Sequence, residues 1–94
     1  MATGSHSKEE TNQLLEEQNH KCSNCGDCLK VNKKHIDHIL PLTLGGSNSI
    51  ENLQWLCQYC NSSKSNLHPD DWARIVKTTA WKSRKLRAQK KQNI

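Results

Sequence analysis

The chain has 94 residues, of which only 33% are hydrophobic and none is Phe, so it can form one small domain with a core too thin to fold unaided. No apolar run approaches the ~20 residues of a membrane span, and no charged-then-apolar start resembles a signal peptide. These features disfavour the membrane and secreted classes, and the expectation is a soluble cytoplasmic domain stapled by a metal, a disulfide or a partner. The net charge of +5 is uneven: residues 1–20 sum to −3, residues 21–68 to +2 and residues 69–94 to +6. Such a basic C-terminal third suits either a polyanion such as nucleic acid or a solvated helix face.

In chain order, residues 1–6 read as a disordered leader or tag remnant. Ser7-Lys8-Glu9-Glu10 then forms a capping box, which predicts a helix from Lys8 to His20 with Leu14 and Leu15 as its core contacts. Cys22-Ser23-Asn24-Cys25-Gly26 is a tight turn in which Gly26 supplies positive φ. A short strand is expected over 31–40, ended by Pro41. A Gly-Ser-Asn loop over 45–49 separates it from a second strand at 52–56. Residues 58–67 suit a short helix carrying Cys60 and Asn61.

His68-Pro69-Asp70-Asp71 opens a long final helix, since Pro fits the first turn and Asp its positive end. At 100° per residue, Trp72, Ile75, Val76, Thr79, Ser83 and Leu86 fall on one face. Trp81 falls on the opposite face, among Arg74, Lys77, Arg84 and Lys85. There it could stack on a sugar or base, dock a partner protein, or pack beneath the first helix.

Five cysteines stand at 22, 25, 28, 57 and 60. Without a secretory context, metal binding is favoured over disulfides. Cys22-x₂-Cys25 and Cys57-x₂-Cys60 are two knuckles whose four sulfurs can close a tetrahedral zinc site. Cys25-x₂-Cys28 is also a legal pair, but Gly26 suits the turn of the first knuckle. A closed Cys₄ site has no open coordination position, so this zinc should stabilise the fold and not catalyse. The two knuckles are separated by 31 residues, more than a plain ribbon needs.

The insert holds His35-Ile36-Asp37-His38-Ile39-Leu40-Pro41, Gly45-Gly46 and Asn52-Leu53, with Asn61 and Lys64 just beyond the last knuckle. Asp and Asn oxygens are hard ligands for a cation such as Mg²⁺. Such an ion stabilises charge on a phosphate, and a neutral His can take a proton from an attacking water. The order CxxC, DHI-x-P, GG, NL-x-x-LC-x-x-CN-x-x-K resembles the HNH endonucleases of the His-Me finger (ββα-metal) class. More narrowly, it resembles their zinc-containing branch common in phages and restriction systems.

The resemblance implies a small α+β fold. In it a ββα-metal motif is stapled by a Cys₄ zinc and flanked by an N-terminal helix and a basic C-terminal helix. It further implies that Asp37 binds the catalytic cation, His38 is the general base and Asn52 keeps His38 oriented. Asn61 stands where the family places its last His or Asn, as second metal ligand. His35 could contact the scissile phosphate or add a ligand. Strict strand alternation sends Asp37 and His38 to opposite faces, so a shared site requires a strand that bulges or ends there.

The leading expectation is therefore a DNA endonuclease at 7–67 with a basic helical extension at 68–94. It would use structural Zn²⁺ and a catalytic Mg²⁺, Mn²⁺ or other divalent cation. Lys64, Arg74, Lys77, Trp81, Arg84 and Lys85 would contact DNA. A phage packaging protein or another protein is a further conceivable partner, and the expected state is a monomer or weak dimer, in a bacterial host if phage-encoded. The alternative is a non-catalytic zinc-ribbon module that binds DNA or protein.

Overall fold

The computed structural model describes residues 3–30 and 33–92. The first helix, α1 (Lys8–Glu17), starts on the expected capping box. The Ser7 hydroxyl accepts from the Glu10 amide at 3.1 Å, and the Glu10 carboxylate accepts from the Ser7 amide at 3.0 Å. It stops short of His20 because Asn19 and His20 both take left-handed φ, 55° and 56°. Those two residue types enter that region more readily than most. Leu15 is buried and Leu14 only half-buried. Asn48 donates its amide to the Thr3 carbonyl, and its own carbonyl lies 2.8 Å from His6 Nδ1.

Two antiparallel strands follow, β1 (Lys34–His38) and β2 (Leu53–Cys57). Lys34 faces Cys57 at one end of the pair and His38 faces Leu53 at the other. The expected strand start at Val31 lies outside the described residues. The free edge of β2 is covered by a side chain acting as a strand: Gln18 Oε1 accepts from the Trp55 amide and Gln18 Nε2 donates to the Trp55 carbonyl. This is one way of satisfying the exposed donors and acceptors of an edge strand.

The connection between the strands is tight. Pro41 leads into a 3₁₀ turn at Leu42–Leu44, which Gly45 ends with φ 92°. Gly46 is buried so closely that any side chain there would collide with the Leu40 carbonyl.

From β2 the chain passes directly into α2 (Gln58–Lys64), which ends at Ser65 in positive φ, earlier than the expected Leu67. The single long C-terminal helix is in fact two, α3 (Pro69–Val76) and α4 (Thr79–Gln92). Thr78 makes the break: its hydroxyl donates to the Ile75 carbonyl at 2.7 Å and accepts from the Trp81 amide at 3.2 Å. Thr is a good N-cap, and here it closes one helix and opens the next.

The break turns α4 back onto the core, so the predicted face fails beyond residue 78. Leu86 is 59% exposed, while Trp81 packs edge-on against Trp72 with ring centroids 5.6 Å apart; Ile75, before the break, is already 37% exposed. The core itself is Cys22, Leu56, Cys60 and Trp72, with Leu29, Leu67, Val76 and Trp81 around it. No described helix is long and apolar enough to cross a membrane.

Candidate active site and metal centre

The end of the sheet where Lys34 meets Cys57 carries the thiols. Cys22, Cys25, Cys57 and Cys60 bring their sulfurs within 4.8 Å of one another, and Cys28 is exposed and apart from them. Gly26, at φ 77°, gives the first knuckle its turn, and its amide returns to the Cys22 carbonyl at 2.9 Å. The Cys25–Cys57 sulfur separation is 3.8 Å. A tetrahedron of metal–sulfur bonds of about 2.3 Å has sulfur–sulfur edges of about 3.8 Å, so the donor set and its spacing fit zinc.

Four such thiols cannot ionise together without a cation. Hydrogen bonds from Cys25, Cys57 and Cys60 hold Cys22 well below the usual thiol range. The contact with Cys22 in turn drives Cys25 and Cys60 upward. Asn24 on the first knuckle donates to Cys60 on the second at 3.5 Å, tying the two together.

The opposite end of the sheet carries the acid and the imidazole. β1 stops at His38, so strict alternation no longer separates its last two residues. Asp37 and His38 both line a cleft of about 250 Å³ with Pro41, Leu42, Thr43, Ser65 and Asn66. His38 Nε2 lies 2.8 Å from Asn48 Oδ1.

Asn52 locks the backbone on either side of that pair. Its Oδ1 accepts from the Leu40 amide, its Nδ2 donates to the carbonyls of Leu40 and Ser47, and its own carbonyl accepts from the Ile39 amide. His38 precedes this clamp by one residue, and Asn48 follows Ser47. Asn61 is half-buried on α2, and neither it nor His35 is among the residues lining the cleft. His35 stands opposite Leu56 in the sheet.

The largest revision concerns Lys64, expected to meet DNA. It is 1% exposed, and its ammonium forms an ion pair with Asp37 Oδ2 at 3.1 Å and donates to Asp37 Oδ1 at 3.4 Å and to the His38 carbonyl at 3.0 Å. Gln54 Nε2 completes the carboxylate's partners at 2.9 Å. A buried carboxylate needs a counter-charge, and the nearest turn of α2 supplies it.

Two further expected DNA contacts are redirected by the break at Thr78. Trp81 packs against Trp72 and Tyr59, and Lys85 is 7% exposed with its ammonium on Asp27. Arg74 and Lys77 remain exposed, Arg74 forming only a loose 3.8 Å pair with Asp71. The side chain of Arg84 lies outside the described residues. Asn48, Gln54 and Asn24 escaped the sequence reading, because a lone amide in a polar loop or strand carries no spacing signal.

A family model described as HNH endonuclease matches residues 22–67, which span both knuckles, both strands and α2. The chain is also 36% identical over 63 residues to the CRISPR-associated endonuclease Cas9 of Corynebacterium diphtheriae. That match takes in 66% of this chain and 6% of the relative, so the chain corresponds to a small part of that protein. Residues 22–67 thus carry the pattern of the HNH endonuclease family.

Proposed function

We propose that this chain hydrolyses DNA phosphodiester bonds as a metal-dependent endonuclease. The observation that supports the reading is that Asp37 and His38 both line one cleft, within a segment matched to that family. The donor chemistry fits a divalent cation: Asp37 offers a hard carboxylate oxygen at the cleft, and Asn61 on α2 would add an amide oxygen. When bound there, Mg²⁺ or Mn²⁺ would stabilise negative charge on the phosphate and the leaving oxygen.

His38 then acts as the base. An amide oxygen can only accept, so the bond to Asn48 Oδ1 puts the imidazole proton on Nε2 and leaves the Nδ1 lone pair to take a proton from water. Asn52 positions this pair by clamping Ile39, Leu40 and Ser47. Lys64 acts from behind the site, pairing with the Asp37 carboxylate and pinning the His38 carbonyl. His35 enters as a phosphate contact or an added ligand. The zinc of the Cys₄ site is structural. Affinity for the DNA backbone comes from exposed cations such as Arg74 and Lys77, with Arg84 as a further candidate.

Supercoiled plasmid tests the reading. Incubated with the zinc-loaded chain, it should convert to nicked or linear form in Mg²⁺ or Mn²⁺ and stay supercoiled in excess EDTA. Asp37→Ala should demand more cation for the same conversion. Plasmid that is bound but left intact across a series of divalent cations would favour a non-catalytic zinc-ribbon module instead.

A further inference from the structure

The C-terminal helix does more than cover the core. Lys85 is a buried lysine whose ammonium reaches toward both knuckles at once. It donates to Asp27, two residues after Cys25, and lies 5.7 Å from the ring centre of Tyr59, the residue before Cys60. Lys85, Asp27 and Cys25 also line one small cavity of about 290 Å³ beside the thiol cluster.

A lone lysine gains nothing by entering such a place. Its side chain is long enough to carry the ammonium to water, and burial works against the charge. Here the Asp27 carboxylate anchors the ammonium beside the thiol cluster, with Lys85 only 7% exposed. Four thiolates around one dication leave an excess of about two negative charges, which a low-dielectric setting makes costly.

We infer that Lys85 is the counter-charge of the thiolate cluster, so that retention of the structural metal depends on α4. The inference rests on the reading of Cys22, Cys25, Cys57 and Cys60 as metal ligands. It also explains why α4 keeps a lysine at a core-facing position next to Trp81, where an apolar residue would pack as well.

The test follows zinc transfer from the Zn²⁺-loaded full chain to a chromophoric chelator at neutral pH. Outer-shell partners of metal ligands are worth about 10–100-fold in metal affinity, and Lys85→Gln should lose that much. Lys85→Met, which keeps the buried stem but not the charge, should lose as much; wild-type affinity in that variant overturns the inference. Lys82→Gln removes an exposed charge from the rim of the same cavity and should change little.

Asp27→Asn separates a counter-charge from a mere helix staple. It frees the Lys85 anchor but also removes a negative charge near the cluster, so it should cost much less than Lys85→Gln. Equal losses in Asp27→Asn and Lys85→Gln would mean that the pair only fastens the helix, which also overturns the inference. If the wild-type chain takes up no zinc, it is the ligand reading itself that fails.

Discussion

The two ends of the β1–β2 pair bury polar groups by opposite means. At the Lys34–Cys57 end, four like groups crowd within 4.8 Å and cannot all ionise until a cation joins them. At the His38–Leu53 end, the buried Asp37 already has its counter-charge in Lys64 and a donor in Gln54. One end is thus completed from outside and the other from within. The knuckle end should therefore govern whether the chain folds, while the cleft end can lose a reactive side chain and keep its shape.

The largest effect should come from breaking the end that needs the cation. Cys57→Ser is expected to lose bound zinc and unfold the domain, because structural zinc in small domains contributes on the order of 10 kcal/mol. Cys28→Ser should do neither, since Cys28 is exposed and outside the cluster. Elemental analysis and far-UV circular dichroism on both variants would reveal any inversion of that order.

Next comes the self-compensated end. Lys64→Met leaves Asp37 buried without its partner and should cost about 3–5 kcal/mol in urea unfolding of the zinc-loaded chain. Adding Asp37→Asn removes the stranded charge, so the double variant should recover much of the loss. A double variant no more stable than Lys64→Met alone would show that the pair is not the source of the effect.

A comparable loss, about 3–5 kcal/mol, is expected of Trp72→Ala, since Trp72 packs with Cys22, Leu56 and Cys60 in the core. By the same contact, cutting the chain after Leu67 should loosen the zinc end, and not spare it as a boundary at residues 67 and 68 would suggest. Thr78→Ala should do less, about 1 kcal/mol, through the lost cap between α3 and α4. Smallest in stability is the pair Arg74→Glu with Lys77→Glu, within about 0.5 kcal/mol because both side chains are exposed. Its signature is a weaker and less salt-dependent affinity for plasmid.

The contrast between the two ends also marks what a sequence makes legible. The knuckles could be read because ligand spacing is local: CxxC and the Gly26 turn impose their geometry within five residues. The capping box at Ser7 and Glu10 was legible for the same reason. Asp37 and His38 share a cleft because the strand stops at His38, a condition that could be foreseen as a requirement but not as an outcome. Lys64 was misplaced because helix register reveals which turn a lysine occupies, not that a buried carboxylate lies across from it. Trp81 and Lys85 were misplaced by one hydroxyl: Thr78 caps two helices where periodicity reads one, and every face beyond it rotates. Gln18, which pairs with Trp55 as a strand would, has no sequence signature because its role exists only once β2 is in place.

On the proposed function, the cleft end is the reactive end of a fold held together at the other. Plasmid cleavage in Mg²⁺ by zinc-loaded His38→Ala, set beside the wild type, tests it most directly. The expected result is a protein with unchanged zinc content and DNA affinity whose cleavage rate falls about 10²–10⁴-fold, the usual loss when a general base is removed. Wild-type cleavage by that folded, zinc-bound variant would contradict it.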